Sequence, residues 1–319
     1  MILLLDVPVM SSVEMTLALG NDSCEIPDLP EQRHDHVTLV TWDGIVASCG
    51  GYTQRKEDSC LTLNIVAHAW EYIPSKIGNL PRSFYDSATV TLPVGVYIIG
   101  GENQKTSLFL PTGSSEWQNG PMVPKGDSIQ WPCAVGSNDR FMFIGGSNER
   151  TKSYYNHVYQ FDTTLYGPTS HLGWFQWPHL NEGRSGHGCA MISGKIIVAG
   201  GWDGTKRLSS TEIIDLSTQT VSSVGNLQEA RSKIGMVTIG NGRNMMVLAF
   251  GGVNIGGTKL NTIEKWNDKT ENWEDYHKTL KVESYSFGSV AVNPKAICRT
   301  AAATGNKEGK FIDICFIKY

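Results

Sequence analysis

An apolar run that ends in two adjacent glycines occurs five times in this chain, at Ile45–Gly51, Val94–Gly101, Phe141–Gly146, Ile196–Gly201 and Met245–Gly252. The first glycines are Gly50, Gly100, Gly145, Gly200 and Gly251, so the steps are 50, 45, 55 and 51 residues. Two glycines at the end of a buried strand mark a place where no side chain fits, or where the backbone needs positive φ. A constraint repeated at near-constant spacing means one supersecondary unit stacked on copies of itself. The fourth copy is the fullest. Arg184-Ser185-Gly186-His187 opens it, a Gly194-Lys195 turn follows a short apolar run, and Ile196–Ala199 leads to the doublet. After a polar loop comes Thr211–Leu216. Val and Ile density between turn residues reads as short strands.

Other residues keep step with the doublets. Arg33, Arg82, Arg184 and Arg231 stand 17–21 residues ahead of the second glycine, and Trp70, Trp117, Trp174 and Trp273 follow it. The third copy has Trp131 where the others have Arg. A period of about 50 residues is that of repeats that each build one four-stranded propeller blade. On these residues the chain resembles the kelch family over almost its whole length. The resemblance implies an all-β fold, a six-bladed β-propeller of kelch repeats with its last blade closed by N- and C-terminal strands. The expected single propeller is 12–319, with blades near 30–78, 79–124, 125–181, 182–227 and 228–280. The sixth combines 281–319 with 12–29, whose phase matches 210–227, although Phe311–Tyr319 lacks a doublet. Residues 1–11 are read as a tail or a truncated signal segment, since Met1–Leu5 is apolar but Asp6 cuts the run short.

Charge and composition narrow the partners. With 27 basic and 31 acidic residues the formal charge is −4, which offers no basic excess for phosphates, so nucleic acid is not expected. No run of 18 apolar residues marks a membrane span. Seven cysteines without C-x-x-C leave their state open. Cys49 and Cys189 read as small buried hydrophobes, while Cys24 and Cys60 could be disulfide-linked if the protein is exported. Asn21-Asp22-Ser23 is a glycosylation sequon that hints at the same compartment. Cytoplasmic and extracellular locations both stay open.

Catalytic motifs are missing from the sequence: no GxSxG, HExxH, Walker or dinucleotide-binding pattern occurs. His34-Asp35-His36 would put two imidazoles on one face of an extended strand, a spacing that can hold a metal. The other histidines, His68, His157, His171, His179, His187 and His277, are scattered. No cofactor and no metal are expected. The copper oxidase that shares kelch repeats, as its resemblance implies, needs a Cys–Tyr cross-link, a second Tyr and two His. None of these can be placed here.

Loops carry function on a rigid scaffold. The loops after each doublet and before each first strand should open on one face. They hold Arg33, Tyr52, Arg82, Tyr85, Trp131, Arg184, Trp202 and Arg231, the expected binding residues, because Arg and aromatics anchor interfaces. The Arg and Trp sets have a competing role as contacts within and between blades. The expected function is a monomeric, non-enzymatic module that binds a protein or peptide. The resemblance adds a substrate-receptor role, as in cullin ubiquitin ligase adaptors, but with no BTB segment in this sequence. The alternatives are an enzyme with a site on the propeller face, oxidase- or sugar-epimerase-like, and a secreted lectin-like or structural protein.

Overall fold

A computed structural model describes residues 29–280 except 32, 65, 68, 127, 166–172 and 241–244, together with the backbone of 16–17 and 314–315. The expected strands alternate with tight turns, and they assemble into five four-stranded antiparallel sheets in sequential order. Blade 1 is Val37–Val40, Val46–Cys49, Cys60–Asn64 and Ala69–Glu71. Blade 2 is Ser87–Leu92, Gly95–Gly100, Thr106–Pro111 and Gln118–Met122. Blade 3 is Cys133–Ser137, Arg140–Ile144, Val158–Asp162 and Trp174–Gln176. Blade 4 is Gly188–Ile192, Lys195–Ala199, Thr211–Asp215 and Thr220–Val224. Blade 5 is Gly235–Ile239, Met246–Phe250, Thr262–Asn267 and Asn272–Thr279.

The first strands are innermost and adjoin from blade to blade. Thr89 and Thr91 Oγ1 donate to the Thr38 and Val40 carbonyls, and Thr238 Oγ1 donates to that of Met191. Apolar residues fill the gaps between sheets; one such layer joins Leu39 and Ala47 of blade 1 to Val96 and Ile98 of blade 2. The outer tryptophans act as joints. The indole of Trp117 donates to the Gly78 carbonyl, that of Trp174 to the Met122 carbonyl and that of Trp273 to Thr211 Oγ1. Each partner belongs to the segment before the tryptophan's own blade, so a large aromatic binds neighbouring blades together.

Two expectations need correction. The described residues hold five blades, not six. Nearly all of the sixth lies outside them; what they retain is an antiparallel pairing of Thr16–Leu17 with Ile314–Cys315, which brings the two ends of the chain side by side. The disulfide expectation also changes. Cys60 is bonded to Cys49, directly opposite it on the neighbouring strand, with the Cα atoms 4.1 Å apart. Strand register therefore commits Cys60 to a partner other than Cys24, which lies outside the described residues. A second disulfide, Cys133–Cys189, links the first strands of blades 3 and 4, so Cys49 and Cys189 are half-cystines, not free thiols.

Candidate functional site

The doublets set how each blade meets the next. Gly200 and Gly201 have φ of 67° and 105°, and a Cβ on Gly200 would lie 2.7 Å from the Arg231 carbonyl oxygen of blade 5. The Gly201 N–H donates to that same carbonyl at 2.8 Å. The same joint is made by Gly51 N–H to Phe84, Gly101 to Ile129 and Gly146 to Arg184. These partners, Phe84, Ile129, Arg184 and Arg231, define the true equivalents of the recurring arginine; Arg33 joins them in blade 1, since it donates to the Gly50 carbonyl as Arg184 does to that of Gly200. Arg82 is therefore two residues out of phase, and Ile129, not Trp131, takes the Arg place in blade 3.

The arginines in phase are turned inward. Arg184 is fully buried and donates to the Gly200 and Ser210 carbonyls, Ser210 Oγ and the buried Glu212 carboxylate at 2.8 Å. Arg231 repeats this with Gly251, Thr262 and Glu264, the last at 2.7 Å. Arg33 donates to Gly50 and Ser59. Burial pushes the Glu264 carboxyl upward, against backbone N–H donors at Gln228 and Glu229 and the Arg231 charge. Arg82 is half-buried and bonds Gln104, Asn119 and the Thr106 carbonyl. The expected ring of ligand-gripping guanidinium groups is instead a set of clamps that tie the entry loop to the second and third strands. The buried glutamates that complete them, Glu212 and Glu264, were legible only as a Glu early in the third strand.

Two residues after each in-phase position stands a ring of another kind. Asp35, Asp86, Trp131, Gly186 and Lys233 all have left-handed backbones, with φ between 47° and 58°. Each N–H donates to the carbonyl of the previous member: Asp86 to Asp35, Trp131 to Asp86, Gly186 to Trp131 and Lys233 to Gly186, at 3.2, 2.8, 2.9 and 2.6 Å. Lys233 Nζ lies 3.5 Å from Asp35 Oδ1, which joins the last blade described to the first. The same ammonium sits 4.8 Å from the Trp131 ring centroid, within cation–π range. Asp86 is buried, with Oδ2 accepting from Gln130 Nε2. Burial, and then the Asp35 charge, push its carboxyl up to about 7. The mouth of the channel is thus a narrow collar of backbone hydrogen bonds carrying two carboxylates, one ammonium and one indole.

Left-handed backbone at Asp35 also keeps His34 and His36 off the common face that their spacing would share in an extended strand. The turn breaks the alternation of an extended strand, leaving His34 exposed against Asp35 and His36 buried with Nδ1 on the Arg33 carbonyl. Burial, reinforced by Arg33, lowers His36 to about 4. His187, its counterpart in blade 4, is lowered to about 3 by burial and Arg184, so both rings stay neutral.

Beside the collar is a cleft of about 460 Å³. Blade 3 gives it Trp131, Glu149 and Tyr154; blade 4 gives Trp202 and Arg207; blade 5 gives Lys233 and Lys259. Arg207 lies over Trp202 at 5.6 Å. Burial alone would raise Glu149, but hydrogen bonds from Lys152, Ser147 and Tyr154 outweigh it and hold the carboxyl below its usual range. The cleft therefore joins aromatic surface to three cationic side chains, with its one carboxylate engaged by its own loop. Of the expected binding residues, Trp131 and Trp202 meet here. Tyr52 and Tyr85 sit on the same face around blades 1 and 2, with Lys56 4.8 Å above the Tyr85 ring. Arg207, Lys233 and Lys259 were missed, because cations in variable loops carry no repeat signal.

Comparisons with known proteins agree with this geometry. The Kelch motif profile matches residues 183–228, the fourth repeat. Kelch-like protein 35 of Mus musculus is 25% identical over 244 residues, 73% of this chain and 37% of that protein. Acyl-CoA-binding domain-containing protein 5 of Arabidopsis thaliana is 25% identical over 260 residues, 76% of this chain and 39% of its own length. Kelch-like protein 24 of Homo sapiens is 28% identical over 134 residues, 42% of this chain and 20% of that protein. The matched region thus spans well under half of these relatives. Recurring doublet joints and four-stranded blades make this chain an all-β propeller of repeats, the fourth of which matches the Kelch motif.

Proposed function

We propose that the propeller is a protein- or peptide-binding module that takes its ligand on the face formed by the collar and the cleft beside it. The observation that carries this is the convergence of Trp131, Tyr154 and Trp202 with Arg207, Lys233 and Lys259 from three consecutive blades. Rigid aromatic area beside planar or point cations is what anchors a segment bearing carboxylates. Residues far apart in sequence become neighbours there through radial repetition alone. The module acts as a monomer by recognition, without chemistry of its own; a substrate-receptor role would use this same face. This reading keeps the sixth blade too, supported by the pairing of the two chain ends.

Selection of a displayed random peptide library on the purified protein tests the site. Recovered peptides should be rich in Asp and Glu next to an apolar residue. Trp202→Ala and Arg207→Ala should each weaken them by about 1–3 kcal/mol while the melting temperature holds. Arg184 is not a suitable probe, since its guanidinium is buried. Equal binding by both variants, or loss only on substitution around Trp42, Lys76 and Thr112 at the opposite end of blades 1 and 2, would place the ligand elsewhere.

A further inference from the structure

Two histidines that look unrelated in sequence, His157 and His179, meet at the outer rim of blade 3. His157 is the residue before the third strand, and His179 follows the fourth strand across Trp177 and Pro178. The two segments are knitted together. Trp177 N–H donates to the Val158 carbonyl and Leu180 N–H to that of Asn156, both at 2.9 Å, while Asn156 Nδ2 donates to the Leu180 carbonyl at 3.0 Å. His157 is further held by the stacked Tyr155 ring, 5.5 Å away. The pair therefore stands on a fixed frame.

The imidazoles face each other through like atoms. His157 Nδ1 and His179 Nδ1 are 3.4 Å apart, and Asn156 Oδ1 lies 3.2 Å from His179 Nδ1. Two nitrogens at this distance need something between their lone pairs, either one shared proton or a metal ion. A tetrahedral ion with N ligands at about 2.0–2.1 Å spaces neighbouring ligand atoms by roughly 3.3 Å. Both separations match that edge. Gln176 Nε2 lies 2.7 Å from His179 Nε2, and an amide flip, which exchanges Gln176 Nε2 for Oε1, brings the carbonyl oxygen to that atom. With its carbonyl oxygen turned to that atom, Gln176 accepts Nε2–H and leaves the Nδ1 lone pair for a metal, the second-shell arrangement that fixes a ligand tautomer.

We propose that His157 Nδ1, His179 Nδ1 and Asn156 Oδ1 form a binding site for a divalent zinc-class ion, with water in the remaining positions. Imidazole ligands select zinc, copper or nickel over calcium and magnesium, which require an all-oxygen shell. No cluster of three or more His, Cys, Asp or Glu occurs among the described residues, so the third ligand is an amide oxygen and the site is an open one. It stands on blade 3 alone and is independent of the peptide-binding face.

Titration of the purified, metal-stripped chain with Zn²⁺ followed by calorimetry tests this. The expected result is one Zn²⁺ per chain, unaffected by excess Mg²⁺. His179→Ala removes an exposed side chain, so the melt should be unchanged while zinc affinity falls at least tenfold. His157→Ala should fall likewise, and Gln176→Leu, which disturbs only the second shell, by roughly tenfold. Co²⁺ substitution should give a tetrahedral visible spectrum in wild type that is lost in His179→Ala. Absence of stoichiometric zinc, or zinc retained in His179→Ala, overturns the proposal and leaves the pair as an imidazole–imidazole hydrogen bond.

Discussion

The Asp86 carboxyl carries a charge problem that pH should reveal. Its usual value of 3.8 is raised to about 7 by burial and by Asp35. The folded chain therefore holds a proton that the unfolded chain releases, between about pH 4 and 7. Stability from this group is fully present below about 4 and is lost as pH rises through about 7. Asp86→Asn keeps an acceptor for Gln130 and cannot ionise, so its denaturation midpoint should fall less than the wild type's between pH 5 and 8. Parallel pH profiles for the two proteins would show that Asp86 is ionised throughout. The arginine clamps give a second residue-scale prediction. Arg184→Met leaves the buried Glu212 without its cationic partner and with only the Asn181 and Glu182 N–H donors, which should cost about 3–5 kcal/mol. Adding Glu212→Leu should recover much of it, as chemical denaturation of the three variants will show.

At the scale of the strand and its turn, confinement outweighs backbone conformation alone. Gly194 and Gly200 both have positive φ, 78° and 67°, but a Cβ on Gly194 meets nothing within 4 Å. Gly194→Ala should cost about 1–2 kcal/mol from the left-handed backbone. Gly200→Val must also displace the Arg231 carbonyl and should cost about 2–4 kcal/mol or more. Similar losses in both, measured by urea denaturation, would remove steric confinement from the explanation. This joint also explains what could be read in advance. The doublets announced five blades because glycine is demanded wherever a neighbouring carbonyl intrudes. The phase of the entry loops was not legible in blades 2 and 3, where Phe84 and Ile129 hold the arginine position and Arg82 is a decoy. The collar was illegible altogether. Asp35, Asp86, Trp131, Gly186 and Lys233 share a backbone conformation and no side-chain chemistry, so no residue pattern marks them. His157 and His179 were likewise invisible as a pair, because their meeting depends on how the fourth strand of blade 3 returns.

For the whole molecule, closure is the decisive property. Pairing of Thr16–Leu17 with Ile314–Cys315 ties the ends of the chain. Deletion of residues 1–20 should therefore lower the melting temperature of the entire ring in one cooperative transition. An unchanged melt would mean that these strands contribute nothing to closure. The Cys133–Cys189 link spans 56 residues and fastens two blades at the axis. Its removal by paired Cys→Ala substitution should cost about 2–5 kcal/mol, seen as a shift in denaturation midpoint under non-reducing conditions.

The doublet joint has an implication for how such a molecule comes to exist. A glycine N–H seated on the next blade's carbonyl asks nothing of the side chains on either part: the recipient is Phe84, Ile129, Arg184 or Arg231 with equal success. A socket indifferent to what is plugged into it makes the parts interchangeable. A gene segment of one period, copied or lost whole, delivers a piece that already fits both neighbours, while its loops are free to diverge. The number of blades is then decided by the angle at which the circle shuts, and the surface chemistry by which loops happen to be dealt to adjoining seats.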